Sequence, residues 1–385
     1  MALDLKSVRL REFPWTMRGD VIYMDHASTG PLPARASAAL ADYGARRAEP
    51  FRLRADDLFP VLQRARARAE ALIHAPAGSV ALVTNTSHGV NIAARALPYG
   101  PGDVVLSTAG EFPANVYPWI AATEARGAEF RMLPLAGQLP DEGALLRAIE
   151  SDERVKGVAI SWVSFWNGYR FDLPAISAAC RRRGAWLFVD AIQGVGAVEL
   201  DVVAAGVDVL ACGAQKWLLS PWGTGFTYIR PDWIPRLEPA EVGWMAQPAT
   251  ADFTRFLDYD PTLFDDARRF EVVTLDFVNF AAMAESLGLF LDVGARAAAD
   301  AVRAHGDRTV AFCEAQRHVT LLTPADPAHR AGVLALRPRD LMAASQRLKD
   351  RGVYHSVREG HVRISPHFYT SAAELDRALE VVASA

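Results

Sequence analysis

Residues Ala185–Lys216 read AWLFVDAIQGVGAVELDVVAAGVDVLACGAQK. Two short apolar runs stand in this stretch, Ala185–Val189 and Val209–Cys212. Both are too short for ordinary helices, and their β-branched and aromatic content favours strands. The first ends on Asp190; the second is broken by Gly213 just before Lys216. Buried parallel strands read as continuous apolar runs, so these two are expected to be inner strands of a helix-covered sheet. Outward from them the same pattern repeats. Val80–Val83, Val104–Ser107, Val158–Trp162 and Gly225–Ile229 are further strand candidates, and stretches with helical spacing such as Leu173–Arg183 lie between most of them. This alternation predicts an α/β fold with a mostly parallel sheet. Ligands of such sheets bind beyond the carboxyl ends of the strands, which is where Asp190 and Lys216 fall.

At 385 residues the chain exceeds what one core holds. A large domain is expected over 21–270. A linking helix and a small α+β carboxyl-terminal domain are expected over 271–385, with the segment 1–20 packing on the smaller unit. Residues 246–270, rich in Pro, Asp and Thr, read as an irregular loop, 275–305 as a long Ala-rich helical stretch, and 372–385 as a helix. A net charge of −4 without a basic face argues against nucleic acid. The three cysteines, Cys180, Cys212 and Cys313, form no CxxC pair, which excludes a disulfide framework and a cysteine-rich zinc site. No metal-ligand spacing is present. Met1–Arg11 lacks the apolar run of a signal peptide, and no apolar run reaches the ~18 residues of a membrane span. A soluble, cytoplasmic protein is expected.

The chemistry-bearing residues are few. An acid closing a buried strand, as Asp190 does, needs a partner. The ring nitrogen of pyridoxal phosphate would supply one, with the carboxylate keeping it protonated so that the ring drains electrons from a substrate α-carbon; capping of the next turn is the plainer alternative. Lys216 is flanked by Trp217, Leu218 and Leu219, an unusually apolar setting for a loop lysine, and burial there favours imine formation. Thr84-Asn85-Thr86-Ser87-His88-Gly89 separates a strand from a helix whose apolar face includes Val90, Ala93, Ala94 and Leu97. Thr86 and Ser87 suit either helix capping or a phosphate at the helix start.

Together these residues resemble the class V aminotransferase family of fold-type I pyridoxal-phosphate enzymes, which includes cysteine desulfurases, isopenicillin N epimerase-like proteins and kynureninase. The resemblance spans nearly the whole chain. Tyr23–Pro33 is similar to the family's amino-terminal signature, with His26 where Asn is usual. The resemblance implies that Thr86 and Ser87 bind phosphate and that Phe112, in Glu111-Phe112-Pro113-Ala114-Asn115, stacks on the cofactor ring. Asp190 would pair with the pyridine nitrogen and Gln193 with the ring oxygen. Gln215 would contact phosphate, and Lys216 would form the Schiff base. Arg269–Thr274 resembles a stretch that carries a threonine, here Thr274, to the neighbouring subunit of a homodimer. Val362–Tyr369 resembles the motif whose arginine, Arg363, grips the substrate carboxylate bidentately. His26 is a further candidate substrate contact.

Departures narrow the chemistry. Desulfurases of this class carry a nucleophilic cysteine shortly before that arginine, but Asp350–His361 contains none. Phe112 and Gly168-Tyr169-Arg170 look more like the epimerase-like branch. The expectation is an aminotransferase or lyase acting on an α-amino acid, with Lys216 as base at the α-carbon. Epimerisation is the alternative, and a non-catalytic sensor is opposed by the intact residue set. Trp119, Trp162, Trp166, Trp217, Trp222 and Trp244 gather near the expected site, either as core or as pocket wall.

Overall fold

A seven-stranded sheet is ordered Val80–Val83, Gly225–Ile229, Val209–Gly213, Trp186–Asp190, Val155–Ser161, Val104–Thr108, Glu129–Leu133. Gly225–Ile229 runs antiparallel to both its neighbours, and the remaining pairings are parallel. The protein is seen here in a computed structural model that describes residues 4–257, 259–316 and 318–385. All six expected strands are present, and Val209–Gly213 extends through the glycine expected to break it. The seventh, Glu129–Leu133, lies at the sheet edge and is only partly buried, so it lacks the continuous apolar run that marks the others.

Helices cover the sheet on both faces. Val90, Ala93 and Ala94 of the helix Thr86–Ala96 pack with Trp119, Trp186 and Phe188 in one core. A larger core on the other side joins Leu82, Leu106, Ile160 and Val189 to Val61, Leu62 and Leu287. The helical stretch expected over 275–305 is two helices, Phe277–Val293 and Ala295–Ala315, bent by 81° at Gly294. The first packs on Ala34–Ala48 and Ala55–Leu72. Residues 246–270 form a loop with short 3-10 turns.

Beyond these helices, Thr320–Leu321, Leu334–Arg337, His361–Ile364 and Ser356–Arg358 make a four-stranded antiparallel sheet. Leu341–Asp350 and Ala372–Ala383 pack on it through Leu348, Leu375 and Leu379. The amino-terminal segment joins this region: Arg9 pairs with Glu374 at 2.6 Å, and Phe13 stacks on Tyr369. Ile22–Tyr23 pairs in parallel with Val353–Tyr354. Among the described residues no single helix is long and apolar enough to cross a membrane.

Candidate active site

Asp190 and Lys216 sit at the carboxyl ends of neighbouring parallel strands. Asp190 is 2 % exposed, and its Oδ1 accepts from Ile192 N at 3.0 Å while Oδ2 has no protein donor. Burial pushes its carboxyl up to about 6, and the attraction of Lys216 offsets this only in part. The Lys216 ammonium keeps some accessible surface but is crowded by protein atoms, which push it down to about 8 against the pull of Asp190. Each group is thus moved towards its neutral form: loss of water outweighs the attraction between them. Lys216 Nζ lies 5.5 Å from the centre of the Phe112 ring. The Lys216 backbone is fixed from below by Gly30. Gly30 N donates to Gln215 O at 2.8 Å, and a Cβ on Gly30 would come within 2.1 Å of Lys216 O, so no other residue fits there.

The remaining expected residues divide. Thr86 is buried at the start of the helix Thr86–Ala96, and its Oγ1 accepts from Gly213 N at 2.9 Å, which brings the helix start to the strand that leads to Lys216. Gln215 Oε1 is buried without a hydrogen-bond partner beside Gly213. Ser87 is exposed on the same helix turn. The helix cap is Asn85, whose side chain accepts from His88 N, rather than either hydroxyl residue. Gln193 donates to Ala27 O at 2.9 Å and accepts from Trp217 Nε1 at 2.8 Å. Thr274 is exposed and accepts from Trp244 Nε1 at 2.8 Å.

Two of the expected residues already have protein partners. His26 does not offer a polar atom to a substrate. Its Nδ1 lies 2.7 Å from Ser365 O, and Nε2 lies 2.6 Å from the Tyr369 hydroxyl. A carbonyl only accepts, so Nδ1 donates and Nε2 accepts from Tyr369. Burial holds this imidazole down to about 3, and it stays neutral. Arg363, expected to grip a carboxylate bidentately, is already engaged. Nε donates to Ser356 Oγ, Nη1 to Phe165 O, and Nη2 to both Asp25 Oδ1 and Ser28 Oγ. A guanidinium has five N–H groups, so one remains. Arg363 is buried and near enough to lower the Lys216 ammonium.

Sequence reasoning also missed Glu111. Its carboxyl accepts from Ser161 N at 2.8 Å and Asn115 Nδ2 at 3.0 Å, bonds Ser161 Oγ, and is pushed up to about 7 by burial, with Asp190 adding repulsion. Trp217 stacks on His367, and Trp119 and Trp162 are core, while Trp222 and Trp244 are exposed. A concavity of about 990 Å³ is lined by Trp244, Phe253, Phe256 and Tyr259, and Lys216 is not part of it. No cluster of metal-ligating side chains occurs among the described residues.

The sequence pattern of one family, Aminotransferase class-V, matches residues 22–377. The chain belongs to this family. It is similar to the uncharacterized aminotransferase YcbU of Bacillus subtilis (strain 168), at 30 % identity over 81 % of this chain and 80 % of that one. It is also similar to isopenicillin N epimerase of Streptomyces clavuligerus, at 29 % identity over 94 % of each. In fold it matches the apo structure of a cysteine desulfurase from Thermococcus onnurineus NA1 with a TM-score of 0.86 and 22 % identity, over 100 % and 99 % of the two chains. The chain is therefore a fold-type I, pyridoxal-phosphate-dependent enzyme of class V.

Proposed function

We propose that this enzyme is an aminotransferase or lyase for an α-amino acid and that Lys216 carries its cofactor. The observation that carries this reading is half-buried Lys216 beside buried Asp190, with Asp190 Oδ2 without a donor among the described residues and the Phe112 ring facing the lysine. The donor set fits pyridoxal phosphate. Asp190 Oδ2 is free to accept from a protonated pyridine nitrogen, and Phe112 offers a ring face. The helix start with Thr86 and Ser87, together with Gln215, would hold the phosphate. Gln193, anchored through one N–H and its oxygen, keeps a second N–H for the ring oxygen. When bound, the cofactor supplies an electron sink for the electrons left at the substrate α-carbon.

Lys216, with its ammonium held near 8, exchanges a proton with that carbon at neutral pH. Arg363 meets the substrate carboxylate with its one remaining N–H, and a second contact requires Asp25 or Ser28 to give way. Under the division into 1–20, 21–270 and 271–385, Arg363 and Thr274 belong to the last unit and the groups named above for the cofactor to the large one. Exposed Thr274 supports its reach to the neighbouring site of a homodimer, and the three free cysteines fit a reducing cytoplasm. Their thiols argue against desulfuration: burial pushes Cys180 up to about 12, Cys313 to about 11, and fully buried Cys212 well above the ordinary thiol range.

A second reading, epimerisation, is supported by the likeness to isopenicillin N epimerase over 94 % of both chains. Supplying L- and D-amino acids in turn separates the readings: keto acid marks transamination, released fragments or amine a lyase, and inverted substrate an epimerase. The same preparation is scanned by absorbance beside Lys216→Ala. A wild-type protein with no cofactor band, as purified and after adding pyridoxal phosphate, sinks the assignment of Lys216.

A further inference from the structure

Glu111 closes a turn after the strand Val104–Thr108, and the chain then enters Phe112 and the short 3-10 turn Pro113–Asn115. Nothing in that turn fixes a ring in space, since Phe112 is 43 % exposed. What fixes it is the preceding carboxyl. Glu111 Oε1 takes the N–H of Ser161, the last residue of the strand Val155–Ser161, and Oε2 meets the Ser161 hydroxyl. Ser161 is the cross-strand partner of Asp190. From the other side Asn115 Nδ2 donates to Oε2, and its orientation is set because Asn115 Oδ1 accepts from buried Trp119 Nε1 at 3.1 Å. The carboxyl thus bridges the two ends of the Phe112 segment and the sheet edge beside Asp190. The Phe112 ring rests edge-on against Phe165 at 5.2 Å, and Phe165 O holds Arg363.

We propose that Glu111 is a positioning residue: by fastening residues 111–115 to the end of the Val155–Ser161 strand, it holds the Phe112 ring over Lys216 for the cofactor. This rests on the reading that Phe112 faces the cofactor. The role requires a carboxyl with its donors in place, and Ser161 N and Asn115 Nδ2 both aim at its oxygens.

A double-mutant cycle on the full-length apoprotein tests this, with pyridoxal phosphate as the titrant and absorbance and visible circular dichroism of the bound cofactor as readouts. The variants are Glu111→Ala, Glu111→Gln, Phe112→Ala and the double Glu111→Ala/Phe112→Ala. Glu111→Ala is expected to weaken cofactor binding about tenfold and flatten the dichroic band. In the Phe112→Ala background the same change should cost less than about twofold. Glu111→Gln, which keeps an acceptor for Ser161 N but faces Asn115 with a donor, should fall between, and it serves if the alanine variant does not fold. Equal losses in both backgrounds, or a folded Glu111→Ala with wild-type affinity and dichroism, overturn the proposal. If Phe112→Ala itself binds the cofactor as wild type does, the reading of Phe112 fails and takes the proposal with it. If neither wild type nor variants bind, the assignment of the site fails instead.

Discussion

At the scale of single residues, Lys216 and Asp190 are each held away from their ordinary charge by burial, and this has a consequence for stability that can be signed. Burial pushes the Asp190 carboxyl up to about 6 from its ordinary 3.8. Between those limits the folded state binds the extra proton, so the apoprotein loses stability as pH rises from about 4 to 6. Two units correspond to about 3 kcal/mol at most. Lys216 works in the opposite sense: its ordinary value of 10.5 falls to about 8, so stability is regained as pH rises between them. Asp190→Asn should make the fall between pH 4 and 6 shallower in denaturant titrations of the apoprotein, the remainder coming from raised Glu111. An unchanged pH slope in that window would refute the burial argument. Arg363 is read through substrate affinity. Lysine cannot reproduce the four contacts of the guanidinium fork, so Arg363→Lys should raise the amino-acid KM by roughly tenfold or more, with a smaller fall in kcat. A KM within twofold of wild type would remove Arg363 from the carboxylate site.

Elements show how a few side chains tie the layers together. Glu271, buried after the 3-10 turn Ala267–Phe270, accepts from Arg66 Nε at 2.7 Å, from Arg66 Nη2, and from Leu82 N at 2.9 Å. One carboxylate therefore joins the helix Ala55–Leu72 to the edge strand Val80–Val83. Glu271→Ala strands a guanidinium and a buried N–H, with an expected loss of about 3–5 kcal/mol in chemical denaturation. A loss under 1 kcal/mol would mean that water replaces the carboxylate. Legibility follows the same distinction between local and distant partners. The six expected strands, edge strand Val80–Val83 included, were readable because burial on both faces writes itself as an apolar run. Glu129–Leu133 was not, since an edge strand alternates with solvent. The Lys216–Asp190 pair was readable because each closes such a run. The engagement of His26 by Ser365 and Tyr369 and of Arg363 by Asp25 and Ser28 was not legible because those partners lie more than 300 positions away, and Glu111 was overlooked because its burial depends on Ser161, fifty residues on.

For the whole molecule, the exposed apolar side chains are unevenly placed. Trp244, Phe253, Phe256, Leu257 and Tyr259 crowd one loop, and Leu257 and Tyr259 are 80 % and 85 % exposed. A contiguous exposed apolar patch of this kind suits an interface, and Thr274 is bonded to its edge through Trp244. Sedimentation of the holoenzyme should therefore give a dimer, and Leu257→Asp with Tyr259→Asp should shift it towards monomer with weakened cofactor binding. An active, strictly monomeric wild type would defeat the shared-site reading.

His367 Nε2 meets Trp217 O at 2.9 Å, Trp217 Nε1 reaches Gln193, Gln193 reaches Ala27 O, and His26 reaches Ser365 O. These bonds close a loop between the first thirty residues, the lysine-bearing turn and the last twenty-one. During synthesis the inner strands are complete long before residue 367 leaves the ribosome, yet the turn that presents Lys216 lacks its support until then. Capture of the cofactor should then wait for residue 367, and a chain cut short before it should fold its sheet while failing to mature.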